Sequence, residues 1–254
     1  MYLKLGARSM PKVFLVNGCS HTGGGEMEYV KSNCTEYDKH HSYAGHIHRQ
    51  LFSDYEYVNV SRNGNNNESI ALDTLEYLQT INSDDCFVLI GLTDPNRYHY
   101  DCDSSFDKTD NRFKFFNSQG LTYKHDSIPY AKELWQGLVA LADTDEQQQR
   151  TFIKDYTMMV TYFEQHNIDY CMVQTLWFYE KITRYHKLFE HYFQNPKVLN
   201  KNSWKDTMNG WLEQQGYDNS IDGRTGHYRE DAHRAWAEFL IERLKNDLVK
   251  LDQS

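Results

Sequence analysis

The sequence predicts an α/β fold, a parallel sheet of five strands covered by helices on both faces. Three observations carry this. Short apolar runs of about four to eight residues, bounded by Gly, Asn or Asp, recur along the chain, and such runs are the mark of strands buried on both faces. Longer amphipathic stretches of helical period lie between them. The two kinds of segment alternate, which gives parallel strands joined by right-handed crossovers, a three-layer α/β/α sandwich.

The elements follow in order. The first strand is placed at Lys12–Asn17, around Val13-Phe14-Leu15-Val16. A helix over Ser42–Phe52 carries Tyr43, Ile47 and Leu51 on its apolar face. A second strand at Tyr57–Val60 leads to a helix over Glu68–Ile81, with Asn67 as its expected N-cap. The third strand is Cys86–Gly91, a long helix covers Asp145–His166, the fourth strand is Tyr170–Thr175, a short fifth is Lys197–Leu199, and a final helix runs over Arg229–Leu251. Residues 1–10 precede Pro11 and read as an extension; residues 11–254 read as one domain, since α/β folds of this length are commonly single. The stretch at about 98–142, rich in Asp, Phe and Tyr, is too long for an ordinary connection and reads as an insertion over one edge of the sheet. Aromatic faces with scattered polar groups suit a sugar, and a dimer contact or a plain surface elaboration suits the composition equally.

Bulk properties exclude several classes. The net charge is -9, against the basic surface that a phosphate-backbone binder needs, so no nucleic acid is expected as a partner. No window reaches the roughly eighteen consecutive apolar residues of a membrane span, and the N-terminus lacks the apolar core of a signal peptide. The expectation is a soluble, cytoplasmic protein that makes no membrane contact. The five cysteines, Cys19, Cys34, Cys86, Cys102 and Cys171, are widely spaced with no C-x-x-C pair, so reduced thiols are expected. His41, His46 and His48 raise the question of a metal, yet no acidic or thiol partner sits at ligand spacing, and no metal or cofactor is expected. Gly23-Gly24-Gly25 is not followed by G-K-[ST], so it is not a phosphate loop.

In a doubly wound sheet, ligands sit beyond the carboxyl ends of the strands, near the point where strand order reverses. The residues there are Gly18-Cys19-Ser20-His21-Thr22 after the first strand, Asn63-Gly64-Asn65-Asn66-Asn67 after the second and Gly91-Leu92-Thr93-Asp94-Pro95-Asn96-Arg97 after the third; Asp222 through Glu238 lead into the last helix. Serine with a late histidine suits nucleophilic catalysis, in which an imidazole removes the hydroxyl proton and a carboxylate or carbonyl fixes the imidazole tautomer. Backbone amides aimed at the tetrahedral oxygen complete such a site.

In this order the four blocks resemble the SGNH (GDSL-type) hydrolase superfamily, over most of the chain. Gly18-Cys19-Ser20-His21-Thr22 looks like its first block in the "GCS-x-T" form found in bacterial and bacteriophage proteins, which leaves a virion-associated location open. Gly64 and Asn67 match "G-x-x-N", Gly91-Leu92-Thr93-Asp94 falls at "G-x-N-D", and His227, His233, Trp236, Ala237 and Glu238 match "H-x-x-x-x-x-H-x-x-W-A-E". The resemblance implies the flavodoxin-like fold of that superfamily. It implies Ser20 as nucleophile, His227 as general base, and Ser20, Gly64 and Thr93 as oxyanion donors, with Asn67 at the substrate. Arg97, on the rim of that site, either binds an acidic group of the substrate or pairs with Asp94 to hold the loop after Pro95. Two positions depart from the pattern: Thr93 stands where the family has asparagine, and Arg224 stands three residues before His227, where the family has aspartate. Asp222 is the nearest substitute, and a backbone carbonyl is the alternative orienter. The activity implied is hydrolysis of a small acyl ester, for instance an O-acetyl group on a glycan. A degenerate glycan-binding or assembly module and an O-acyltransferase are the other readings, and the oligomeric state is not legible.

Overall fold

The structure, a computed structural model, describes residues 12–25, 27, 34–81, 85–95, 97–101, 112–116, 144–176, 179, 181–221, 224–225 and 227–251. Along the chain these form β1 (Val13–Asn17), α1 (Ser20–Gly23), α2 (Glu36–His41), α3 (Tyr43–Leu51), β2 (Glu56–Asn59), α4 (Asn67–Leu78), β3 (Cys86–Leu92), β4 (Arg97–Asp101), β5 (Arg112–Phe116), α5 (Asp145–Gln165), β6 (Asp169–Gln174), α6 (His186–Gln194), β7 (Val198–Leu199), α7 (Met208–Gln214), β8 (Ser220–Ile221), β9 (Arg224–Thr225) and α8 (Glu230–Leu251).

The main sheet has the order β2-β1-β3-β6-β7, with every pairing parallel. Counted along the sheet this is the flavodoxin-like arrangement, and its order reverses between β1 and β3. All five strands expected from the sequence are present, as are the four long helices. β2 and β6 each lie one residue earlier than expected, and α4 stops at Leu78 rather than Ile81. The expected cap at Asn67 is corrected: Ser69 N donates to Asn66 Oδ1 at 2.8 Å, so Asn66 caps α4 and Asn67 is its first residue. Residues 1–10 lie outside the described residues. Of the expected insertion, the described part is an antiparallel hairpin, β4 with β5, pairing Arg97 with Phe116.

Burial on both faces explains the unbroken apolar runs. Alternate side chains of β1 enter two separate cores. Val13 and Leu15 join Val88 and Ile90 of β3 under α4, α5 and α6, where Ile70, Phe152, Met159, Phe189 and Tyr192 pack. Phe14 and Val16 join Leu89 and Val173 under α3, α7 and α8, with Tyr43, Ile47, Leu212, Trp236 and Leu240. Each large side chain so buried stabilises the fold by roughly 1.5–3 kcal/mol.

At the carboxyl ends of β1 and β3 the packing closes around one side chain. A Cβ on Gly18 or on Gly91 would fall inside van der Waals contact with Thr22 Oγ1, which also accepts a hydrogen bond from Tyr43 Oη at 3.2 Å. Gly91→Ala is therefore expected to destabilise the protein by about 2 kcal/mol or more in denaturant unfolding; an unchanged midpoint would contradict this packing.

α5 places Asp155 at 0 % exposure, with Oδ1 3.3 Å from Lys154 Nζ. Burial, reinforced by the Glu68 charge and opposed by Lys154, pushes its carboxyl up to about 6. Ionisation is thus disfavoured in the folded state. The favourable contribution is complete below the ordinary carboxylate range and is lost as pH rises through about 6, a change of about 3 kcal/mol at most. Asp155→Asn is expected to raise Tm at pH 8 and to leave it little changed near pH 4; an equal difference at both pH values would contradict this.

Candidate active site

The site is built first by β1 and the turn that leaves it. Asn17 is fully buried; its Nδ2 donates to Ile70 O and Thr74 Oγ1, each at 3.0 Å, and its Oδ1 accepts from Gly18 N at 2.8 Å. The strand end is thereby tied to α4. The chain then enters α1 at once: Thr22 N and Gly23 N donate to Cys19 O at 3.0 Å, Gly25 N donates to Ser20 O at 2.7 Å, and Gly24 takes a left-handed φ of 70° that favours glycine.

Ser20 opens this short helix and is 4 % exposed. Its hydroxyl makes no hydrogen bond to a described residue, so it neither caps the helix nor closes the turn. Gly25 leaves room for it, since a Cβ there would lie 2.9 Å from Ser20 Cβ.

The loop after β2 is anchored to the same turn. Arg62 N donates to Gly18 O at 3.2 Å and Asn65 Nδ2 reaches the same carbonyl at 3.5 Å. Gly64, in the turn closed by Asn65 N on Arg62 O, has φ 69°, which accounts for glycine at this position of the sequence. After β3, Thr93 is fully buried and its Oγ1 has no hydrogen-bond partner among the described residues. Asn67 clamps its backbone from both sides: Asn67 Nδ2 donates to Thr93 O at 3.0 Å, and Thr93 N donates to Asn67 Oδ1 at 2.9 Å. The Asn67 amide, expected at the substrate, is thus engaged by the β3 end. Arg97 Nη1 donates to Asn65 O at 3.3 Å, and Arg97 N to Asp94 O at 3.3 Å, joining the loops after β2 and β3.

The histidines come from the chain that enters α8. His227 N donates to Asn219 O at 3.2 Å, and its ring lies against His21, with centroids 5.2 Å apart and planes at 30°. The late histidine is therefore next to the residue that follows Ser20. His233 is structural: its Nδ1 accepts from Tyr43 N at 3.3 Å, its ring stacks on Tyr43, and burial, with His227 and His46, pushes it down to about 3. Asp222 lies outside the described residues. Among the described residues no group of three or more His, Cys, Asp or Glu is placed to hold a metal ion. His41, His46 and His48 instead bond Tyr37 O, Arg49 and Tyr55 O.

His21 is the residue that sequence reasoning missed. It is 5 % exposed, meets His227 and the edge of Tyr228, and its Nδ1 is buried without a hydrogen bond among the described residues. Burial foremost, then His227, Arg97 and His233, holds it well below the ordinary histidine range, so the ring is neutral. The available signal was an imidazole beside the candidate serine, at the unspecified position of GCS-x-T.

No family profile matches the sequence, and no curated protein does. Solved structures similar in shape include an acetyl xylan esterase, AlAXEase (14 % identity, 92 % of this chain and 99 % of that one, TM-score 0.45). Another is a putative lipolytic protein of the G-D-S-L family from Desulfitobacterium hafniense DCB-2 (9 %, 91 % and 99 %, 0.41). A third is a carbohydrate esterase described as having divergent catalytic and non-catalytic binding functions (14 %, 94 % and 70 %, 0.43). These scores lie below the level at which likeness bears on the chemistry of this chain.

The Asn67 clamp yields a test. Asn67→Ala leaves the buried amide and carbonyl of Thr93 unpaired and is expected to cost about 2–3 kcal/mol in denaturant unfolding; a loss within about 0.5 kcal/mol, the range of an ordinary surface change, would contradict the clamp.

Proposed function

We propose that this chain is a serine hydrolase of the SGNH type that cleaves a small acyl ester, for which an O-acetyl group on a glycan is the substrate class of choice. One observation carries the reading: a buried serine, its hydroxyl committed to no cap or turn, sits at the switch point of the sheet, and the ring of the next residue, His21, lies against the late histidine His227. The resemblance of the four sequence blocks supports it independently.

In this mechanism Ser20 Oγ attacks the ester carbonyl while His227 takes its proton. The oxygen that becomes negative is met by the Ser20 and Gly64 amides and by the Thr93 hydroxyl, which has no other partner among the described residues. The Asn67 clamp fixes the position of Thr93. His227 returns its proton to the leaving alcohol, then activates the water that releases the acyl group. Asp222 or a backbone carbonyl fixes the His227 tautomer. Arg97, at the rim, faces an acidic or hydroxyl group of the substrate. An acyl-enzyme discharged to a sugar hydroxyl in place of water would make the same site a transferase.

A second reading, a glycan-binding module that does no chemistry, is favoured by Arg224 at the family's acidic position and by the absence of a hydrogen bond from Ser20 to His227. Turnover decides between them. Hydrolysis of p-nitrophenyl acetate is expected from the wild-type protein, and Ser20→Ala or His227→Ala is expected to lower kcat by a factor on the order of 10³ or more. A Ser20→Ala protein as active as wild type would remove Ser20 from the mechanism. A folded wild-type protein without turnover would favour the binding module, and glycan arrays would then identify its ligand.

A further inference from the structure

His21 has no part in the mechanism above, and its surroundings give it one. It follows Ser20 on α1, and successive side chains of a helix diverge by about 100°. The two therefore face different walls. Ser20 lies over Gly25, whereas the His21 ring meets His227 at 5.2 Å and the edge of Tyr228 at 6.4 Å. The His21 Nδ1 has no hydrogen bond among the described residues, so ring contacts are what hold this side chain in place. Here the ring is the wall against which His227 rests.

We propose that His21 is a positioning residue for His227: by ring contact it sets the orientation of the general base. This rests on the hydrolase reading of Ser20 and His227. Among the described residues, the charged and titratable groups around His21 are His227 and Tyr228 from the segment before α8, His233 from α8 and Arg97 from β4. Three of them are basic, and each opposes a proton on His21. When His227 takes the proton of Ser20, no second imidazole competes for it, so the proton stays where the leaving alcohol can receive it. In a site whose family carboxylate position holds Arg224, a ring contact supplies part of the orientation that a carboxylate otherwise gives.

The test combines kinetics with proton titration. At saturating p-nitrophenyl acetate, His21→Leu is expected to lower kcat by a factor on the order of 10 to 100 with KM nearly unchanged, the usual penalty of a displaced catalytic group. His21→Phe, which keeps a ring at the contact, is expected to recover most of the loss, with circular dichroism confirming that both variants fold. Equal losses in the two variants would mean that a His21 nitrogen acts directly, and no loss in His21→Leu would mean that the contact is idle; either overturns the proposal. Without need of turnover, NMR of the imidazole carbons in wild-type protein should show His21 titrating below the ordinary histidine range. In His227→Gln, His21 should titrate at higher pH, because an opposing charge is gone. A His21 midpoint unmoved by His227→Gln overturns the close approach of the two rings. The hydrolase reading fails separately, by full turnover in Ser20→Ala or none in wild type.

Discussion

The arrangement depends on the space that two glycines leave around one threonine. β1 and β3 are adjacent parallel strands, and their carboxyl ends approach closely enough that Thr22 touches the backbone of both, at Gly18 and at Gly91. With a side chain at either position the turn after β1 has no room to enter α1 directly. That abrupt entry presents Ser20 and His21 on successive residues, one toward Gly25 and one toward His227. Two of the motif glycines thus act through packing, and only Gly64 among the motif glycines acts through a left-handed φ.

Around this junction asparagines substitute for regular secondary structure. Asn17 ties β1 to α4, Asn66 caps α4, Asn67 clamps the end of β3 to the first turn of α4, and Asn65 joins the Gly18 carbonyl to Arg97. Strand ends at a switch point leave backbone groups without ladder partners, and buried groups of this kind must be paired. A side-chain amide offers both a donor and an acceptor, which is why one residue type recurs here. The result is a frame in which the Thr93 hydroxyl and the His21 Nδ1, together with Ser61 Oγ and Asn65 Oδ1, are buried without a hydrogen bond among the described residues.

Much of the fold was legible because burial on both faces writes strands as unbroken apolar runs. The β1 run Val13-Phe14-Leu15-Val16 feeds both cores and has no polar position to confuse its reading. The cap of α4 was misplaced by one residue because Asn65-Asn66-Asn67 offers the same capping chemistry at three successive positions. α6 was not foreseen: its N-cap is Tyr185, a residue at φ 59° with no side-chain cap hydrogen bond, so the usual start signal is missing. The resemblance of the four blocks pointed to Ser20, Gly64, Thr93 and His227, because motif position is a property of the sequence. His21 was not legible in this way. Its role arises from a contact with a residue far along the chain, and inside the motif its position carries no constraint.

The central claim is that Ser20 is an activated nucleophile, and covalent trapping reads this most directly. The account predicts that a fluorophosphonate adds once to the folded protein, that peptide mapping places the adduct on Ser20, and that His227→Ala abolishes it. No adduct, or an adduct on another residue, would contradict it.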